Sequence, residues 1–180
     1  MMSDINTSTF FLLNGLAGQS MLLDRLIVFL AVYLVYIIAA VFILGIIFWR
    51  ASRSEKIKTA AIALISVAVS RGIFVEAIRF FYHHPRPFAA LPGARQLFPE
   101  TGYSFPSGHT AFFFALSAVV YHYHKKAGVT FFVLSAIMGL ARIAAGVHYP
   151  FDIIGGALIG WLVGFGICAL AKRFSVKDVQ

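Results

Sequence analysis

Long apolar segments alternate with short polar ones along the whole chain. Residues 26–49 include no charged side chain, and as a helix these 24 residues would rise about 36 Å at ~1.5 Å per residue, enough to cross a bilayer with some tilt. Four more segments are apolar enough to be spanning helices: residues 57–81, 107–123, 129–145 and 151–171. Helices are expected because the bilayer interior offers the backbone no other hydrogen-bond partner. The pattern predicts an all-α, polytopic membrane helix bundle with about five transmembrane helices in a single domain, residues 1–180.

Two other segments are too short or too rich in proline to cross. Residues 10–16 are rich in Phe, Leu and Gly, which predicts a short N-terminal helix lying in the membrane interface. Residues 82–105 contain four prolines and are followed by Pro106. Because proline fixes φ and lacks a backbone donor, this connection is predicted to be an ordered loop. It is too short for a separate soluble domain.

The composition excludes an ordinary soluble protein. Hydrophobic residues make up 60% of the chain and charged residues only 12%. The net charge is +8, but the basic residues flank apolar segments and do not form one soluble face. We therefore expect the lipid bilayer, and no nucleic acid, as a partner.

The basic residues also predict an orientation. Lysine and arginine cluster within residues 50–58, at 125–126 and within 172–177. With five helices these three clusters fall on one side of the membrane, which the positive-inside rule makes cytoplasmic. The C-terminus is then cytoplasmic, and the connections at 82–105 and 146–150 are extracytoplasmic.

Three polar blocks, all near that outer face, carry the candidate chemistry. They are Arg79 with Arg86-Pro87, then Pro106-Ser107-Gly108-His109, then Arg142 with His148 and Asp152. The three arginines present charge and forked donors that match phosphate oxygens. Ser107 is predicted to cap a helix whose free amides, beside Gly108, would bind an anion.

The remaining residues of the blocks suit phosphate ester hydrolysis. The neutral imidazole of His148 could attack phosphorus and form a phosphohistidine. Asp152 could accept the other ring N–H of His148 and stabilise the charge that develops on the ring. His109 could protonate the leaving oxygen and later deprotonate a water. This mechanism needs no metal and no cofactor, and neither is expected.

The spacing of the blocks resembles the signature motifs of the type 2 phosphatidic acid phosphatase superfamily, written KxxxxxxRP, PSGH and SRxxxxxHxxxD. This chain has RxxxxxxRP, PSGH and ARxxxxxHxxxD. Arg79 replaces the usual Lys and keeps a cation, whereas Ala141 replaces the usual Ser and loses a hydroxyl. The resemblance implies the same residue roles as those given above.

Two longer segments, HHPRPF and GVHYPFDIIGG, are similar to bacterial undecaprenyl-diphosphatases of the bacitracin-resistance type. That likeness implies an enzyme of the bacterial plasma membrane that removes the terminal phosphate of undecaprenyl diphosphate at the extracytoplasmic face. Phosphatidylglycerophosphate, phosphatidate and lipid A remain alternative substrates, because the motifs recognise the phosphate and not the tail. An anion transporter or channel and a vanadium-dependent peroxidase are more remote hypotheses.

Several polar and small residues lie outside these assignments. Glu76 precedes Arg79 by three residues, which permits a helical ion pair, and Arg71 is deeper in the same span. His83 and His84 are expected to be solvated in the outer loop. A stripe of small residues could pack inside the bundle or form a dimer seam: Gly156, Gly160 and Gly164.

Overall fold

The computed structural model describes the backbone of residues 2–177 and the side chains of residues 4–174. This part of the chain is helical, with no strand. Its seven helices are α1 (Met2–Asn14), α2 (Met21–Phe48), α3 (Arg53–Phe81), α4 (Pro87–Ala90), α5 (Gly108–Tyr123), α6 (Lys125–Ala144) and α7 (Pro150–Lys177). Four of these, α2, α3, α6 and α7, are long and apolar enough to cross a membrane. The shorter α5, of 16 residues, coincides with the predicted third span. The predicted all-α membrane helix bundle is confirmed.

Capping residues set where the helices begin. The Ser20 hydroxyl accepts a hydrogen bond from the Leu23 amide at the start of α2. Ser52 and Glu55 form a capping box at the start of α3. Because charged residues lie in the first two turns, at Asp24 and Arg25 in α2 and within residues 53–58 in α3, the hydrophobic pattern placed the first two spans a few residues too late. The N-terminal helix likewise starts earlier than predicted and ends at Asn14.

Part of α3 is wound more loosely than an α-helix. Residues Ala68–Val75 are π-helical, with hydrogen bonds from i to i+5. Residues five apart therefore share a face, and the guanidinium of Arg71 pairs with the carboxylate of Glu76. The predicted pair between Glu76 and Arg79 is also present, at a longer 3.9 Å.

Helix α5 lies at the centre of the bundle, packed against α7, α6 and α3. The core residues of α5 include Phe113, Leu116 and Val119, and they are buried in one cluster with Ile38 and Met138. The small-residue stripe of α7 faces α5 of the same chain. A Cβ added to Gly160 would lie 2.8 Å from the Ala115 amide nitrogen, and one on Gly164 would lie 2.7 Å from the Ala118 methyl. The stripe therefore packs inside the bundle.

The two ends of the bundle differ in chemistry. At one end the ring of Trp49 packs against Tyr123 and His124, which joins the α2–α3 and α5–α6 connections close to the basic clusters. At the other end the Leu97 amide donates to the carbonyl of Ala145, which joins the α4–α5 loop to the end of α6. Helix α1 packs at this second end, where the Asn14 amide donates to the carbonyls of Arg95 and Ala144. All three polar blocks lie there.

Candidate active site

His148 and Asp152 form a buried pair at the start of α7. Pro150 begins the helix, so His148 lies just before its first turn and Asp152 lies within it. His148 Nδ1 is 3.3 Å from Asp152 Oδ2. The same oxygen accepts hydrogen bonds from the Tyr149 amide, at 2.7 Å, and from the Ser104 hydroxyl. The Tyr149 amide and the Ser104 hydroxyl thus hold the carboxylate beside Nδ1 at the edge of the ring.

The surroundings of His148 keep its ring neutral. Burial lowers the pKa of His148 to about 4, and the cations of Arg142 and Arg86 act in the same direction. The hydrogen bond to Asp152 opposes this shift without cancelling it. Near neutral pH the ring therefore carries one proton, and with that proton on Nδ1 toward Asp152, Nε2 is unprotonated and keeps its lone pair.

Arg86 anchors the α4–α5 loop and also lies beside His148. Its guanidinium donates to the carbonyls of Thr101, Gly102 and Val147, at 2.8, 3.0 and 2.8 Å. Its Nη1 also lies 3.4 Å from His148 Nε2. Burial lowers the pKa of Arg86 to about 10, so the side chain remains cationic at neutral pH. Because carbonyls take most of its donors, Arg86 offers the site mainly its charge.

Arg142 is held from several sides at the end of α6. One terminal nitrogen donates to the carboxylate of Glu100, and the other donates to the carbonyl of Ala31 at 3.3 Å. The guanidinium carbon lies 5.6 Å from the centre of the Phe98 ring. The side chain is 2% exposed, and its Nε has no hydrogen-bond partner. Arg142 therefore retains an unused donor.

Glu100 is a site residue that the motifs did not reveal. One of its carboxylate oxygens pairs with Arg142, and the other lies 3.8 Å from Arg86 Nη2. Burial alone would raise the pKa of Glu100, but Arg142 and Arg86 outweigh it and lower the pKa below its usual value, with a smaller contribution from His109. The carboxylate is therefore ionised between two arginines. Its position in a proline-rich loop gave no periodic signal to identify it.

The Pro-Ser-Gly-His turn connects the first and third blocks. Ser107 caps α5, as predicted, by accepting from the Thr110 amide at 3.4 Å and from the Thr110 hydroxyl at 3.0 Å. The Ser107 amide donates to the backbone carbonyl of Asp152 at 3.0 Å. Arg79 Nη2 donates to the Pro106 carbonyl at 3.0 Å. The starts of α5 and α7 and the end of α3 are thereby fixed together.

His109 completes the cluster from the first turn of α5. It is partly buried and lies within electrostatic reach of Arg142, Glu100 and His148. The structure therefore brings all eight predicted residues to the same end of the bundle. The neighbouring His83 is exposed, as predicted, and packs on Tyr103, whereas His84 is half-buried and packs on Tyr149.

The chain is similar to several known proteins. A family model described as the PAP2 superfamily matches residues 59–175. The chain is 32% identical over 174 residues to the Bacitracin transport permease protein BcrC of Bacillus licheniformis, covering 96% of this chain and 84% of that protein. It is 28% identical over 172 residues to the Undecaprenyl-diphosphatase BcrC of Bacillus subtilis strain 168, covering 95% and 84%.

A solved structure, that of Aquifex aeolicus LpxE, superposes with a TM-score of 0.76 at 31% sequence identity, covering 92% of this chain and 95% of that one. The family match spans more than half of the chain and includes all three motif blocks. The polar cluster, the apolar helices and these relatives lead to one conclusion: the chain belongs to the PAP2 superfamily and is a membrane phosphatase.

Proposed function

We propose that this phosphatase removes the terminal phosphate of undecaprenyl diphosphate at the extracytoplasmic face of a bacterial plasma membrane. The observation that carries the proposal is the convergence of a buried His148–Asp152 pair with Arg86 and Arg142 at one end of the bundle. Similarity over 95% of the chain to a protein named undecaprenyl-diphosphatase favours this lipid over other phosphates.

The first chemical step forms a phosphohistidine. His148 Nε2 attacks the terminal phosphorus, an N–P bond forms, and the bond from phosphorus to the bridging oxygen breaks with its electron pair on undecaprenyl phosphate. The ring becomes positively charged as this happens, and Asp152 stabilises that charge at 3.3 Å. Arg79, Arg86 and Arg142 neutralise the oxygens of the transferred phosphate.

The second step returns the enzyme to its starting state. In the first step His109 has given its proton to the departing oxygen, and in the second step it accepts a proton from the attacking water. The water oxygen attacks the phosphohistidine, the N–P bond breaks, and orthophosphate leaves with His148 neutral again. The low pKa of His148 supports its part in this cycle, because the ring does not retain a proton on Nε2 near neutral pH.

The charges support the orientation. The motif blocks lie at the opposite end of the bundle from the basic clusters, which the positive-inside rule assigns to the cytoplasm. Intact cells should therefore release phosphate from a soluble, membrane-impermeant diphosphate added outside, at the rate that lysed cells do. Activity that appears only after lysis would contradict the orientation.

One relative is named a transport permease, so transport is the second candidate. A transporter needs a polar path through the bundle. In the described helices the buried Ser117 and Ser135 meet at 3.3 Å, and each hydroxyl donates to a carbonyl one turn earlier on its own helix. Such a satisfied pair provides packing and does not favour an ion path. Uptake of labelled phosphate by reconstituted vesicles would revive the transport hypothesis.

The test is a substrate panel in detergent. Phosphate release is measured side by side from undecaprenyl diphosphate, phosphatidylglycerophosphate and phosphatidate, with and without EDTA. We expect the highest kcat/KM for undecaprenyl diphosphate, no effect of EDTA, and loss of release from all three in His148→Ala. A preference for either glycerolipid would overturn the substrate, and full activity of His148→Ala would overturn the mechanism.

A further inference from the structure

Arg71 is a fourth arginine that the motifs do not include. It precedes Arg79 by eight residues on α3, so its backbone lies about two turns deeper along the helix axis. Its side chain runs back to the motif end, and a Cβ placed on Gly108 would lie 2.7 Å from Arg71 Cδ. A charged residue within a membrane span is costly, and this cost favours a functional role.

Arg71 differs from the three motif arginines in its exposure. The side chain of Arg79 is 13% exposed, that of Arg86 4% and that of Arg142 2%. Each of the three donates to a backbone carbonyl. Arg71 is 38% exposed and pairs with Glu76, which is 51% exposed. Its charge acts on both His109 and Arg79. Arg71 thus lies at the edge of the site with donors that a ligand can reach.

We propose that Arg71 binds the lipid-proximal phosphate of a diphosphate substrate and makes the enzyme prefer diphosphates to monophosphates. This inference rests on the proposed function. With the terminal phosphate at His148, the proximal phosphate carries the tail, which must enter the bilayer. It therefore lies on the membrane side of the site, and Arg71 approaches the Gly108 turn from that side.

The chemistry of the leaving group gives Arg71 a role in turnover. When a diphosphate is cleaved, the leaving group is a phosphate whose negative charge grows as the P–O bond breaks. A guanidinium on that phosphate stabilises the transition state. When a monophosphate ester is cleaved, the leaving group is an alcohol, which needs a proton from His109 and has no second phosphate for Arg71.

The π-helical stretch places Arg71 for this role. The i to i+5 spacing aligns Glu76 with Arg71 and holds the guanidinium in the absence of substrate. The proximal phosphate would take the place of the Glu76 carboxylate as the partner of Arg71. An ordinary α-helical turn would put residues five apart on different faces.

The test compares two soluble substrates with the same tail, farnesyl diphosphate and farnesyl monophosphate. We expect Arg71→Gln to lower kcat/KM for the diphosphate by about 10- to 100-fold, the range for a hydrogen bond to a charged group, with the monophosphate within about twofold of wild type. Arg71→Lys, which keeps the charge without the fork, should lose about 3- to 10-fold on the diphosphate. Arg53→Gln, at the opposite end of the same helix, is the matched control and should leave both substrates unchanged.

Each outcome decides the matter. A parallel fall for both substrates in Arg71→Gln, or no fall for either, would overturn the inference while leaving the proposed function intact. If Arg71→Gln does not fold, Arg71→Lys decides, and an unchanged ratio of the two kcat/KM values overturns the inference. Wild-type protein that releases no phosphate from either farnesyl diphosphate or undecaprenyl diphosphate would refute the proposed function and this inference with it.

Discussion

Replacing Asp152 by Asn tests how the pair with His148 works. Asn keeps an oxygen that can accept from the Tyr149 amide and the Ser104 hydroxyl, but it removes the negative charge. At the observed 3.3 Å and an effective dielectric constant of ~20, a unit charge on each group gives an attraction of about 5 kcal/mol. Since ~1.4 kcal/mol corresponds to a tenfold change in rate, we expect kcat to fall about 10³-fold.

The assay is phosphate release from a lipid diphosphate, with thermal unfolding in detergent as a check on folding. Ser104→Ala is the matched control, because it removes one hydrogen bond to the same oxygen and leaves the charge. We expect this variant to lose about 10- to 100-fold, in line with one hydrogen bond of ~1.5–3 kcal/mol to a charged group, and so clearly less than Asp152→Asn. A folded Asp152→Asn protein with kcat within threefold of wild type would refute the charge stabilisation.

Three further predictions follow from other parts of the structure. Because the pKa of His148 is about 4, kcat/KM should fall on the acid side near pH 4 and not near the ordinary histidine value of ~6.5. The measurement is a profile of kcat/KM from pH 3.5 to 9, and an acid limb near pH 6.5 would contradict the prediction. Glu100→Gln removes a negative charge beside Arg142, so the inhibition constant of orthophosphate as a competitive inhibitor should fall about 3- to 30-fold. A higher inhibition constant would mean that Glu100 chiefly positions the arginine. Gly160→Ala should lower the free energy of unfolding by about 1–3 kcal/mol, because the added Cβ meets the backbone of α5. The control is Gly166→Ala on the same helix, whose Cβ meets nothing within 4 Å and should change stability little. Equal unfolding midpoints for the two variants would contradict this packing.

The sequence predicted the helices and the motif residues well because each has a strong local signal. Apolar length identifies spans, and the fixed spacings of Arg79, Ser107 and His148 within their blocks predicted that these residues lie at one end of the bundle. The structure adds the contacts that join these blocks, such as the Ser107 amide on the Asp152 carbonyl. Those contacts depend on tertiary packing, which spacing alone does not fix.

Other features gave no signal that sequence reasoning could use. Glu100 lies in an irregular loop, and its role depends on two arginines that are 14 and 42 residues away in sequence. The π-helical turn that pairs Arg71 with Glu76 depends on hydrogen bonds that shift by one residue, which hydrophobic periodicity cannot show. The sequence also did not show which helix packs on the glycine stripe of α7, because a second copy of the chain and a helix of the same bundle suit it equally. In the structure that helix is α5.

The most direct test of the central claim is to map the covalent intermediate. Protein mixed with a lipid diphosphate labelled at its terminal phosphate would be quenched in alkali, where phosphohistidine survives, then digested and sequenced by mass spectrometry. We predict the label on His148 in the wild-type protein, and no label at this position in His148→Ala. Label on a different residue would contradict the account. A His148→Ala protein that takes up no label and still turns over at the wild-type rate would contradict it as well.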